Sequence, residues 1–323
     1  MALPILLTSC AYRPAASIAL PQAAPATLEL TGVPFNPQPV DQCGPAALAT
    51  VLQHTGRPVS VDELRRAVFL PGRRGSVAPE IVAAARRHGA LPYRIAPSFT
   101  ALAAALADGK PVLVLQNLGI PRVPYWHYAV VVGIDTVRGR VLLRSGRDPR
   151  RALRIRRFWD SWRWADHWGL VLLEPGGPIP AWVEESRYLE AIAGLELIAE
   201  QRAAAAAAYR AASERWPEAA LPWLGLGNVA YAAGDRIAAL TAWRRAAELE
   251  PRSAAIRNNL ATVLGELGCE GEGLAQARRA LELSAGGPLA AVVERTWAEL
   301  QQRAAVRSAA PQEKACIASG STE

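Results

Sequence analysis

The sequence predicts two folds in series: an α+β domain over residues 32–175, then an all-α solenoid of paired helices over residues 186–307. Three observations carry this. Mixed helix and strand patterning fills the first stretch, and the Pro/Gly-rich EPGGPIPAW at residues 174–182 interrupts it, so residues 176–185 read as a linker. From Ser186 onward the pattern is nearly all helical and repeats every 34 residues. At 323 residues the chain is long enough for two cores, and its balance of 51% apolar to 20% charged residues is that of a folded protein. Beyond the N-terminus nothing approaches the ~20 consecutive apolar residues of a spanning helix. There is no GxxxxGK[ST] phosphate loop and no Cys/His cluster at zinc spacing, so no cofactor or metal is expected.

The repeats are the clearest pattern in the chain. Residues 220–253 and 254–287 align without gaps. The first supplies Trp223, Leu226, Gly227, Ala239, Trp243, Ala246 and Pro251, which resembles the tetratricopeptide signature. The second keeps Leu260, Ala261, Gly268 and Ala280, and counting back gives a third unit at residues 186–219 with Ala205, Tyr209, Ala212 and Pro217. Small residues let paired helices approach, and aromatics fill the groove between pairs. Residues 288–307 read as a capping helix and residues 308–323 as a disordered tail. Such repeats imply a concave surface for a protein or peptide partner.

At the other end, MALPILLTSC sets small residues before Cys10 after an apolar run, which resembles a bacterial lipoprotein signal. The resemblance implies lipidation of Cys10, a membrane anchor, and a place in the cell envelope on the periplasmic side. Residues 1–31 then comprise this signal and a Pro/Ala-rich tether. In an exported protein Cys269 and Cys316 have the redox setting for a disulfide.

Net charge is +7, and nine arginines fall in RGRVLLRSGRDPRRALRIRR, residues 138–157. An anionic partner is one reading of such a run. A solvated hairpin edge is the favoured one, since edge charges block sheet-to-sheet association and no aromatic residues interleave for base stacking. No nucleic-acid partner is expected.

The chemistry centres on PVDQCGPAAL, residues 39–48. Leu48, Val51 and Leu52 follow at helical spacing to Gly56, and Pro45 suits a first helical turn. Cys43 therefore stands at a helix N-terminus, where free N–H groups and the helix dipole lower a thiol pKa. Gln42 can offer a side-chain N–H to an oxyanion. A base is needed. His54 and His88 each precede a glycine at a helix end, and His167 lies among tryptophans in FWDSWRWADHWGLVLL, read as a core and interface plug. His127 opens HYAVVVGID, a β-branched run that reads as a central strand.

DQCGPAAL followed some 80 residues later by HYAVVVGID resembles the papain-like cysteine peptidases that cleave double-glycine leader peptides. The resemblance spans residues 33–173. It implies a papain-like α+β fold in which Cys43 attacks a peptide bond, His127 is the base and Gln42 helps build the oxyanion hole. The helices expected over VSVDELRRAVF (capped by Ser60 and Glu63) and SFTALAAALADG, and the strand KPVLVLQN, agree with it. The third member departs from the family pattern. Where an Asp-Pro is usual, at the end of the strand after the histidine strand, this chain has Ser145-Gly146; Asp148-Pro149 follows three residues later, and Asn117 is a weaker candidate.

Two functions follow. One is a thiol peptidase acting on peptides outside the cytoplasm, with the repeats recruiting a partner. The other is an adaptor whose papain-like domain no longer turns over. A carboxylate at the His127 ring would mark the enzyme, and Ser145 alone the adaptor, because a serine cannot stabilise imidazolium as a carboxylate does. Amide-bond formation would use the same residues.

Overall fold

A computed structural model describes residues 27–37, 41–73 and 75–308. The lipoprotein-like signal with Cys10, most of its tether, Cys316 and the Ser/Ala-rich tail lie outside the described residues.

Seven antiparallel strands form one sheet in the order β2-β7-β3-β4-β5-β6, and β1 pairs with β4 off this path. The strands are β1 (Thr27–Glu29), β2 (Leu91–Arg94), β3 (Val112–Asn117), β4 (Trp126–Asp135), β5 (Arg140–Ser145), β6 (Asp148–Arg154) and β7 (Gly169–Leu173). The long strand β4 organises the domain by its alternation. Tyr128, Val130 and Val132 face one core, while Ala129 and Val131 face the other. A bulge between Val131 and Gly133 then shifts the count by one, which returns Ile134 to the second face.

The first core holds α1 (Cys43–His54), α2 (Val61–Val68) and α3 (Ala78–Arg87). Each helix ends where its sequence says it should. Ser60 accepts the Glu63 N–H to start α2, and Gly56, at φ 76°, takes the left-handed turn after α1. On the other face lie α4 (Phe99–Ala107), begun by Ser98 accepting the Ala101 N–H, and α5 (Ile155–Arg163). Trp162 of α5 is fully buried there, stacked on Phe158 and donating its indole N–H to the Trp168 carbonyl at 2.9 Å. Most of the tryptophan-rich segment is thus core; Trp164 alone of its four tryptophans is exposed.

The helical region begins at α6 (Glu185–Glu196) and continues through α7 (Arg202–Arg215), α8 (Ala220–Ala232), α9 (Arg236–Leu249), α10 (Ala254–Glu266), α11 (Glu270–Ser284) and α12 (Ala290–Ser308). Its first pair does not hang from a free linker. The core on the α4–α5 face runs on through Tyr188, Ile192, Ala205 and Tyr209, the Trp182 ring meets Tyr93 edge to face, and the Glu184 N–H donates to the Tyr93 hydroxyl at 3.0 Å. Within the solenoid, Gly227 on α8 is required by Trp243 on α9. A Cβ there would lie 2.2 Å from the indole, whose N–H reaches the Leu224 carbonyl at 3.1 Å.

Candidate active site

Cys43 is the first residue of α1, and Gln42 is its N-cap without a side-chain capping bond. The turn into the helix is made by Asp41 at φ 67°, a left-handed conformation that a short polar residue tolerates. Gly44 lets the segment before α3 close over this turn: a Cβ at Gly44 would lie 2.5 Å from the Ser76 hydroxyl, which is buried without a partner. The Cys43 sulfur accepts main-chain N–H groups from Tyr128, Gly44 and Cys43 itself. The first of these is decisive, since it holds the sulfur against β4 at the residue after His127.

Burial pushes the Cys43 thiol up, more than those N–H groups lower it, and the charge of Asp41 adds to the rise. The expected depression at a helix N-terminus is therefore overturned. Desolvation of a half-buried sulfur outweighs the N–H groups that meet it, so the resting group is a thiol. Burial likewise lowers His127, to about 4, with the positive charge of Arg151 acting in the same direction. The resting pair is thus neutral on both sides. The Tyr128 phenol is pushed up by burial and then by Cys43, and its ring meets Trp168 edge to face with centroids 5.8 Å apart.

His127 Nε2 lies 2.9 Å from the Ser145 hydroxyl, which is buried at the end of β5. Asp148 does not occupy this place. It is exposed, and its carboxylate accepts the Arg150 N–H at 2.9 Å, turning back on its own strand across the tight turn from Ser145. Asn117 is also otherwise engaged, accepting the N–H groups of Gly119 and Tyr125 to shape the β3–β4 loop. His54 Nε2 donates to the Gly109 carbonyl at 3.0 Å, His88 lies 3.8 Å from Glu63, and His167 packs against Trp159 and Trp162. His127 is the residue before Tyr128, whose main-chain N–H meets the Cys43 sulfur.

The sequence did not single out Gln116 and Ser161. Gln116 pairs across the ladder with His127 and donates to Ser161 of α5 at 2.7 Å, fully buried. This bond fixes α5 beside the site, and strand parity is its only sequence signal: Gln116 shares a face with Val112 and Val114. Among the described residues no group of His, Cys, Asp or Glu could hold a metal ion, and no helix is long and apolar enough to cross a membrane. Cys43 is free, whereas Cys269 is disulfide-bonded.

Residues 30–163, under half of the chain, match the Peptidase_C39 like family. Three solved structures are similar to parts of the chain. A C39-like peptidase from Bacillus anthracis is 16% identical, with 46% of this chain and 98% of that chain covered and a TM-score of 0.39. The peptidase domain of Streptococcus ComA, a bi-functional ABC transporter involved in quorum sensing, is 24% identical over 44% of this chain and 96% of that one, with a TM-score of 0.33. The Sgt2 tetratricopeptide domain from Aspergillus fumigatus is 14% identical over 46% and 97%, with a TM-score of 0.36. No curated protein matches the chain. The N-terminal antiparallel sheet with its helices contains residues that match the Peptidase_C39 like family, and the C-terminal region is all-helical.

Proposed function

We propose that the chain is a thiol-dependent peptidase in which Cys43 attacks the scissile carbonyl, His127 is the general base and acid, and Ser145 orients the imidazole. The observation that carries this is the seat of the Cys43 sulfur on the Tyr128 N–H, one residue from His127 on β4. From a neutral thiol and a neutral imidazole, attack is concerted with transfer of the thiol proton to His127. The oxyanion is met by N–H donors at the head of α1 and by the Gln42 amide. His127 then returns the proton to the leaving amine, and a water activated by the same ring hydrolyses the thioester. The repeats hold a protein or peptide partner, and the LTSC at residues 7–10 supports lipid anchoring through Cys10 on the periplasmic side of a membrane.

One observation favours the adaptor reading. The group on His127 Nε2 is a hydroxyl, which carries no charge to stabilise an imidazolium. Labelling with a thiol-directed peptidase probe separates the two, read together with cleavage of a peptide library. The enzyme reading expects a labelled wild type, an unlabelled Cys43→Ala and an unchanged Cys269→Ala. Labelling that survives loss of Cys43, or no library cleavage despite labelling, leaves the adaptor.

A further inference from the structure

We propose that the arginine groove beside His127 binds an acidic segment of the peptide that this site cleaves; the inference rests on the peptidase reading above. Seven of the nine arginines of residues 138–157 divide by partner. Arg144 is buried and holds the Thr31, Val33 and Pro149 carbonyls, Arg150 makes a two-pronged pair with Glu29 at 2.8 Å, and Arg138 pairs with Asp135. These three are structural. Arg151, Arg154, Arg156 and Arg157 differ: among the described residues none makes an ion pair, and all four line one groove of about 680 Å³ between β6, α5 and the β3–β4 loop.

The groove has a direction. Arg151 lowers His127 by its charge, so one end of the groove adjoins the ring, and Ser161 anchors its floor through Gln116, the cross-strand neighbour of His127. The one carboxylate in its lining, Asp160, lies 3.6 Å from the Arg163 guanidinium outside it. Four uncompensated guanidiniums at the side of a nucleophile and base select carboxylates along an extended chain, by charge and by two-pronged hydrogen bonds. Edge protection of β6 explains some positive charge. It does not explain Arg156 and Arg157, which stand on the first turn of α5, where a cation faces the unfavourable end of the helix dipole. A nucleic acid fits less well, since Trp164 is the one aromatic in the lining and no stacking platform follows it.

The test uses the full chain with Cys43→Ala and fluorescein-labelled twelve-residue peptides, identical except for Glu, Gln or Lys at five positions, read by anisotropy. The Glu peptide is expected to bind about 10-fold tighter than the Gln peptide, with the gap narrowing as salt rises. Arg154→Glu with Arg157→Glu removes the preference, and Arg157→Gln alone, which leaves less to unfold, reduces it. Arg210→Glu on α7 leaves it intact. Equal binding of the Glu and Gln peptides, or a preference that survives charge reversal in a variant with wild-type melting, overturns the proposal. So does equally tight binding of a single-stranded oligothymidylate of matched charge. The two readings fail separately. A probe-reactive Cys43 that cleaves peptides without a Glu preference sinks the groove alone. A Glu preference in a chain whose Cys43 neither labels nor cleaves sinks the peptidase.

Discussion

His127 turns Nε2 onto the Ser145 hydroxyl at 2.9 Å, which places a neutral dipole at that ring nitrogen. The consequence is electrostatic. The hydroxyl fixes the ring plane but does nothing for the imidazolium that attack creates, and Arg151 opposes that charge.

Ser145→Asp therefore raises activity. A carboxylate at the same bond favours the imidazolium, so kcat rises by about 10-fold or more and the His127 pKa climbs from about 4. The acid limb of the pH–rate profile moves upward with it. Ser145→Ala removes one neutral hydrogen bond, and kcat falls by about 3- to 10-fold. Profiles of kcat/KM across pH 3–8 read both. A profile in Ser145→Asp that keeps the wild-type acid limb refutes the arrangement.

The same titration acts on stability. The folded His127 lies at about 4 against an ordinary 6.5, so the unfolded chain binds more protons between those values. Unfolding free energy then falls as pH drops from about 6.5 through about 4. Arg151→Gln removes one of the two causes, raising the folded pKa and flattening that slope. Denaturant midpoints at pH 4, 5 and 6.5 in both proteins check it; an identical slope in the variant contradicts the role given to Arg151.

Loss of Cys43 removes all turnover above background, while Gln42→Ala lowers kcat by about 100-fold with KM nearly constant, as for one oxyanion donor. An unchanged kcat in Gln42→Ala would leave stabilisation of the oxyanion to the main-chain N–H groups of α1.

Local signals made the site legible where one residue carried the information. Ser60 and Glu63 marked the start of α2 and Gly56 the end of α1. A helix N-terminus is legible because it is local, whereas the burial that raises the Cys43 thiol comes from tertiary packing that the local sequence does not display. The choice between Ser145 and Asp148 was likewise closed to sequence. A tight β5–β6 turn sets Ser145 opposite Asp148 and turns the carboxylate onto Arg150 N–H, so a shift of three residues in sequence changes the partner entirely. The prolines and glycines before Ser186 carry the signature of a linker. What tethers it is Tyr93, on a strand that the patterning did not resolve.

Gly44→Ala tests the packing around the nucleophile without touching it chemically. Its Cβ would lie 2.5 Å from the Ser76 Oγ and 2.6 Å from the Ser76 Cβ, so the loop before α3 must shift. We expect a loss of about 1–3 kcal/mol, the usual range for overpacking a close contact, together with a drop in kcat. Adding Ser76→Gly removes the opposing atoms and recovers both. Thermal melts and turnover of the single and double variants decide it, and a double variant no better than Gly44→Ala alone would break the link.

Gly227→Ala makes the parallel demand on the repeats. Trp243 fills the space over Gly227, and a Cβ would meet the ring at 2.2 Å while the indole N–H is held by the Leu224 carbonyl. The ring cannot withdraw without giving up that bond, so α8 and α9 must separate, at about 1–3 kcal/mol. Because Ala239, Ala246 and Leu260 share this core, the loss spreads to α10. The sheet over residues 27–173 draws on two other cores, one of which reaches Val229 of α8. Hydrogen exchange should therefore quicken across α8–α10 while β3, β4 and α1 keep their protection. Turnover of a short peptide stays at the wild-type level, and binding of a partner to the repeats weakens. Equal loss of protection in β4 would mean that the two regions unfold as one.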